Sequence, residues 1–291
     1  MLHNHHTHSC FSDGKSLPGE YIEKAIEKGF SILGFTEHSP LPFENGFSFR
    51  PEKKQEYLDL MTALKQEYTG QISIYRGLEM DFVPGMSDDF AAVEQEYQPD
   101  YLIGSVHLVN SPGGDALWFI DGPMAEIYDA GLNDYFGGDI RKAVTAYYSQ
   151  VNGMLETQRF DIIGHMDKIK MHNRGRYFSE DEKWYCDLVA ETLRLIREKD
   201  IIAEVNTRGI YKKRSDTTYP GLEILKQIKA LGIRVMVNSD AHQPEEIDGA
   251  YLEAFRLLEA AGIAETAFFT GTKCEFTNMP LVCMPFTVLG R

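Results

Sequence analysis

Tyr101-Leu102-Ile103-Gly104-Ser105-Val106-His107 is a short apolar run that reads as a buried β-strand delivering a histidine at its C-terminal end. The same grammar recurs on both sides of it. Ser31-Ile32-Leu33-Gly34-Phe35-Thr36 runs into Glu37-His38, and residues 72–78 run into Glu79. Phe160-Asp161-Ile162-Ile163-Gly164 ends on His165, and Ile233-Arg234-Val235-Met236-Val237-Asn238 runs into Ser239-Asp240-Ala241-His242. At the head of the chain, His6-Thr7-His8 places two imidazoles on one side of an opening strand, and Asp13 follows on a short loop closed by Gly14. Residues 201–205 form another strand, followed by Asn206-Thr207-Arg208-Gly209.

Between these runs the spacing becomes helical. Helices are expected over residues 17–29, 51–68, 88–97, 179–199, 221–230 and 245–261, and over 124–158 with breaks near Gly137 and Gly138. Ser179-Glu180-Asp181-Glu182 reads as a capping box. Residues 110–123 read as a glycine-rich loop, and the apolar segment after Gly262 shows no assignable element. Strands alternating with helices imply right-handed crossovers and a parallel sheet. Seven such strands, starting near residues 2, 31, 72, 101, 161, 201 and 233, and no composition break predict a single-domain α/β barrel over residues 1–291. An open doubly wound sheet is the alternative.

The 291-residue chain is 43% hydrophobic and 25% charged, so a substantial core can be buried. A net charge of −15 argues against duplex nucleic acid or an anionic membrane as an obligatory partner, since both reward basic surfaces. No signal-peptide pattern and no apolar run of roughly 20 residues is present, so a cytoplasmic protein is expected. Cys10, Cys186, Cys274 and Cys283 form no CxxC pair, and reduced thiols are expected.

The strand ends and the first loop together supply His6, His8, Asp13, His38, Glu79, His107, His165, Asp240 and His242. In a barrel these gather at one mouth, where so many carboxylates and lone pairs are costly unless cations neutralise them. Nine ligands exceed one tetrahedral site and suit about three divalent ions, with Glu79 able to bridge two. Imidazole and carboxylate without thiolate fit zinc, manganese or iron. Open multi-metal sites of this kind hydrolyse phosphate esters through a metal-bridging hydroxide. Of the other candidates, His3, His5 and His172 read as surface groups or as groups orienting the ligands. Asp81 and Asp167 read as alternative ligands or orienting groups.

His6-Thr7-His8 with Ser12-Asp13-Gly14, Thr36-Glu37-His38, Gly77-Leu78-Glu79, Gly104-Ser105-Val106-His107, Gly164-His165 and Ser239-Asp240-Ala241-His242 resemble the motifs of the polymerase and histidinol phosphatase superfamily. The resemblance spans nearly the whole chain. It implies a distorted seven-stranded (β/α) barrel with a trinuclear metal centre. Carried over by motif, His6, His8, Glu79 and Asp240 would hold one ion. Glu79, His107 and His165 would hold a second, and Asp13, His38 and His242 a third. Phe35-Thr36-Glu37-His38-Ser39-Pro40-Leu41-Pro42, Glu204-Val205-Asn206-Thr207-Arg208-Gly209 and the long insertion between His107 and His165 look like the histidinol-phosphate phosphatase subfamily.

That resemblance implies a small-molecule phosphate monoester as substrate, L-histidinol phosphate, cleaved to L-histidinol and phosphate. Arg208, at the end of the sixth strand, is the first choice for a bidentate phosphate clamp, and Arg176 and Arg174 are second choices. Lys212 and Lys213 read as solvated loop charges. Glu79, Asp240 and His242 are the candidate catalytic groups, with the donor of the leaving-group proton left open between Asp240, His242 and metal-bound water. Three rivals stay on the table: another phosphate ester (a nucleotide, an oligonucleotide or a phosphotyrosine), a non-catalytic metal-binding module, and an amide or lactone hydrolase. Oligomeric state is open.

Overall fold

The computed structural model describes residues 1–87, 89–114, 116–271 and 273–279; Cys283 and most of the apolar tail lie outside them. In chain order the first half carries β1 (Leu2–Asn4), α1 (Pro18–Glu27), β2 (Phe30–His38), α2 (Lys54–Glu67), β3 (Ser73–Asp81), α3 (Phe90–Tyr97), β4 (Tyr101–Ser105), β5 (Leu108–Asn110) and β6 (Leu117–Phe119). Then come α4 (Ala125–Phe136), α5 (Ile140–Thr157), β7 (Ile162–Ile163), α6 (Lys183–Lys199), β8 (Ile202–Asn206), α7 (Arg208–Tyr211), α8 (Leu222–Leu231), β9 (Val235–Asn238), α9 (Tyr251–Ala260), β10 (Glu265–Thr270) and β11 (Lys273–Asn278).

Seven strands form one sheet in the order β1-β2-β3-β4-β7-β8-β9, every neighbouring pair parallel. The sheet curls until its edges meet. Thr7, just past β1, bridges Ala241, just past β9, and His8 N donates to Ala241 O at 2.8 Å. The architecture is therefore the expected nearly closed seven-stranded barrel and not the open sheet.

Period-two alternation sorts the strand residues between two layers. Tyr101, Ile103, Ile162, Ile202 and Met236 pack together inside, while Leu102, Ile163, Ala203, Val235 and Val237 join the cluster that the helices cover. Tyr101 crosses the interior to donate to His5 O at 2.7 Å, and this needs Gly34: a Cβ there would lie 2.0 Å from the tyrosine oxygen. α1 shows the local logic of the outer layer. Pro18 opens it, Glu20 accepts from Leu17 N at 3.1 Å, and its buried face of Tyr21, Ile22 and Ala25 packs on β2.

Two segments depart from the sequence reading. The segment after Gly262 is an antiparallel hairpin, β10–β11, whose Ala267 and Phe269 join the interior cluster and plug the barrel at the end away from the site. Four consecutive β10 residues are buried, so no alternation marked it as a strand. The segment read as a loop over 110–123 begins at the last residue of β5 and contains β6, the two forming a hairpin whose strands are only three residues long. His3 and His5 are also corrected. Both rings are buried against the plug, His3 Nε2 lying 3.3 Å from Thr266 Oγ1 and His5 Nε2 accepting from Phe269 N at 3.2 Å. Among the described residues, no helix is long and apolar enough to cross a membrane.

Candidate metal centre

The expected ligands sit at C-terminal strand ends or in the loops just beyond, and local folding explains how each gets there. β1 itself stops at Asn4, yet His6-Thr7-His8 stays extended because Thr7 is held on both flanks, accepting from Thr36 N at 2.8 Å and bridging Ala241. Both rings then project together, with centroids 5.0 Å apart. Asp13 is placed by a turn wrapped round the buried Glu37, whose carboxylate accepts from Ser9 N at 3.1 Å and from the Ser9 and Ser12 hydroxyls. Gly14 allows that turn to close: a Cβ there would lie 2.0 Å from the His8 carbonyl oxygen.

β3 contributes Glu79 and, two residues on and so on the same face, Asp81. Glu79 Oε1 lies 3.1 Å from His165 Nε2 and accepts from Ser105 Oγ at 2.6 Å, while Oε2 lies 3.1 Å from His6 Nε2 and 3.3 Å from His8 Nε2. One carboxylate thus faces two sets of imidazoles. Asp81 sits between His38 and His107, 2.9 Å from His38 Nδ1 and 2.5 Å from His107 Nδ1. Accepting an N–H from each ring leaves both Nε2 atoms as lone-pair donors. Glu204 serves His6 in the same way at 2.6 Å, and is itself held by His165 N, Asn206 and Asn238.

Asp240 adopts a left-handed φ of 55° past the end of β9, where Asn206 Nδ2 donates to Oδ2 at 3.2 Å and Arg208 Nη1 to its carbonyl at 2.6 Å. His242 Nε2 lies 3.1 Å from Asp13 Oδ2, and its Nδ1 lies 2.5 Å from the same Arg208 Nη1. All nine expected ligands converge. Donor atoms of His8, Asp13, His38 and His242 lie within 4.8 Å of one another, as do those of His6, His8 and Asp240, and those of Glu79, His107 and His165. His38, Asp81 and His107 meet the same distance, but Asp81 already spends both oxygens on ring nitrogens.

Do these residues fit metal ions? Buried atoms without a hydrogen-bond partner include His6 Nε2, both His8 ring nitrogens, Asp13 Oδ1 and His165 Nδ1. His107 Nε2 and His165 Nε2 face each other at 3.1 Å. Buried polar atoms left in this way cost free energy that a cation would repay. The electrostatics agree. Burial opposes charge on His6, yet Glu204, Glu79 and Asp240 push its imidazole well above the ordinary value. His38 is pushed up to about 10, Asp81 and Glu79 outweighing its burial. Glu79 is held well below the usual carboxylate range, burial being outweighed by His6, His38 and His107. The cluster demands positive charge, and an all-nitrogen-and-oxygen donor set suits divalent ions.

Beside the ligands stand cations. Arg208 is buried, with its Nη1 3.7 Å from Asp240 Oδ1. Lys168, on the turn after β7, is buried as well, its Nζ 3.1 Å from Asp121 Oδ1 and 3.9 Å from Asp240 Oδ2. Burial is outweighed at Asp121 by Lys168, His107 and Arg208, which pull its carboxyl down to about 2. Arg176 and Arg174 are not brought into this group. Arg176 forks onto Asp129 at 2.8 and 2.9 Å and onto the His172 carbonyl, and Arg174 is spent on the Lys213 and Arg214 carbonyls. Asp167 turns away to pair with the buried Lys170 at 2.7 Å, so it orients no ligand. His172 Nε2 lies 2.8 Å from Gly122 O.

Sequence reasoning gave no role to Glu204, Lys168 or Asp121. Glu204 and Asn206 share one face of β8 by period two, a signal that was present. Lys168 and Asp121 come from a turn and from the stretch after β6, where no periodicity points to the mouth.

The family model of the PHP domain matches residues 4–208. A relative from Deinococcus radiodurans, named "Probable histidinol-phosphatase", is 29% identical over 88% of this chain and 92% of its own length. The histidinol-phosphatase of Bacillus subtilis is 28% identical over 86% of this chain and 96% of its own. Among solved structures, a histidinol phosphate phosphatase from Lactococcus lactis, complexed with Zn, L-histidinol and phosphate, aligns with a TM-score of 0.67. That alignment covers 94% of this chain and 98% of the other at 24% identity. Since the match runs over residues 4–208, from the strand that opens the barrel to the arginine beside Asp240, the chain belongs to the PHP domain family.

Proposed function

We propose that this chain is a metal-dependent phosphoric monoester hydrolase that converts L-histidinol phosphate to L-histidinol and phosphate. The observation that carries the reading is the convergence of nine imidazole and carboxylate ligands, in overlapping groups, beside two buried cations. The names of the two relatives, and the ligands held by the Lactococcus lactis structure, support the choice of substrate.

Three ions are assigned: one to His6, His8, Glu79 and Asp240, one to Glu79, His107 and His165, and one to Asp13, His38 and His242. When bound, such ions supply Lewis acidity toward phosphoryl oxygens and lower the pKa of water. The chain's own residues do the rest. Asp81 and Glu204 fix the tautomers and ring planes of His38, His107 and His6, so the donor atoms are set before substrate arrives. Arg208, and beside it Lys168, face the phosphoryl dianion with fixed positive charge in a water-poor setting. The net charge of −15 supports a small-molecule substrate rather than nucleic acid, and the reading places this one-domain enzyme over residues 1–291 in the cytoplasm.

The test is turnover. The metal-loaded protein should hydrolyse L-histidinol phosphate with a kcat/KM at least tenfold above that for any member of a mononucleotide and phosphotyrosine panel. Preference for a panel member would move the substrate assignment. Bound metal without turnover of any monoester would overturn the enzyme reading.

A further inference from the structure

The ligand cluster leaves two aromatic side chains at the mouth unused. Phe47 lies in the loop after β2, and Phe119 is the last residue of β6; both are only partly buried, whereas Phe49, two residues after the first, and Trp118, just before the second, are core residues. The two rings are parallel to within 6°, with centroids 5.9 Å apart. Phe47 also meets the His38 imidazole edge-on at 5.2 Å, so an aromatic surface begins at a proposed ligand and runs outward.

Both rings are anchored alike. The loop that leaves the barrel at His38 returns to it when Phe49 N donates to His38 O at 2.9 Å, two residues after Phe47. The hairpin that leaves at His107 returns when Ile120 N donates to His107 O at 3.0 Å, one residue after Phe119. Asn45 Oδ1 stiffens the first loop by accepting from Phe47 N at 3.1 Å and Ser48 N at 2.7 Å. Two separate insertions thus hang one phenyl each over the mouth from the backbone of a ligand. Core packing needs neither the partial exposure nor the parallel alignment.

In a phosphate monoester the phosphoryl end belongs with the ions and cations, and the alcohol end must point out past the rim. We propose that Phe47 and Phe119 are specificity-determining residues, a platform against which a planar ring on the substrate's alcohol lies. Offset stacking favours a flat ring over an acyclic chain of similar size, and a cationic ring gains further from the phenyl quadrupole. The proposal rests on the monoester hydrolase reading but does not depend on which ring-bearing ester is native.

The experiment compares Phe47→Leu and Phe119→Leu with the parent, metal-loaded protein on L-histidinol phosphate and on acyclic O-phospho-L-serine. Leucine keeps the apolar bulk and removes the flat face. The kcat/KM ratio between the two esters should fall about five- to tenfold in each variant, while Ki for inorganic phosphate moves less than twofold. Phe119→Trp should restore the ratio. An unchanged ratio in both leucine variants overturns the platform, as does a loss that appears equally with phosphoserine. If the parent protein hydrolyses no monoester, the hydrolase reading fails separately. The platform is then judged by calorimetric binding of L-histidinol, which the leucine variants should weaken by the same factor.

Discussion

At the scale of single residues, the proposed site depends on carboxylates that hold the ligands without being among the nine themselves. Asp81 grips His38 and His107 at once, so Asp81→Asn should loosen two ligands while leaving all nine in the chain. The expected outcome is a fall in metal affinity of roughly 10- to 100-fold, read by titration with a competing chelator. Unchanged affinity would make Asp81 a bystander. Arg208 poses a sharper alternative, because its Nη1 both supports the Asp240 carbonyl and faces the mouth. With a role on the phosphoryl group, Arg208→Ala should weaken inorganic phosphate inhibition about 100-fold with metal content retained. Loss of metal instead would make it a prop for Asp240. The nine ligands were legible as residue types at strand ends. Asp81 was legible too, as an alternative ligand or orienting group two residues after Glu79, whereas the roles of Glu204 and Lys168 come from what lies across the barrel.

At the scale of elements, the seven strands and most helices were legible because long apolar runs and helical periodicity survive in any context. What was lost were the two hairpins: β5 and β6 are three residues each, too few for a period, and β10 buries four residues in a row and so shows no alternation. β10 shows the cost of that blind spot, since it plugs the barrel with Phe269, stacked on Tyr101 at 5.3 Å. Phe269→Ala should destabilise the fold by about 3–5 kcal/mol, read by denaturant titration. Because the plug sits at the end away from the ligands, metal stoichiometry of the folded fraction should stay the same.

Across the whole molecule, the buried floor makes stability depend on pH. Burial, with help from the N-terminal ammonium, pushes His3 down to about 4 from an unfolded value of 6.5. Between those values the unfolded chain binds a proton that the folded chain refuses, so the His3 contribution to stability falls as pH drops from 6.5 toward 4 and is flat above. The His3 share of that loss is about 3 kcal/mol. Unfolding free energies of His3→Gln and the parent chain should therefore converge as pH falls from 7 to 4.5. Parallel curves would show that the floor does not carry the effect.

The bridge from Thr7 to Ala241 joins the two ends of the sheet, and the proposed ligands run from residue 6 to residue 242. Closing so long a loop carries an entropic cost that must be met before the last contacts reward it. During synthesis, then, a ribosome-bound chain that has not yet emerged past His242 holds an incomplete ligand set. A full complement of the proposed ions would mark a finished barrel, since a truncated product lacking Asp240 and His242 keeps Glu79, His107 and His165 but loses a ligand from each of the other two groups.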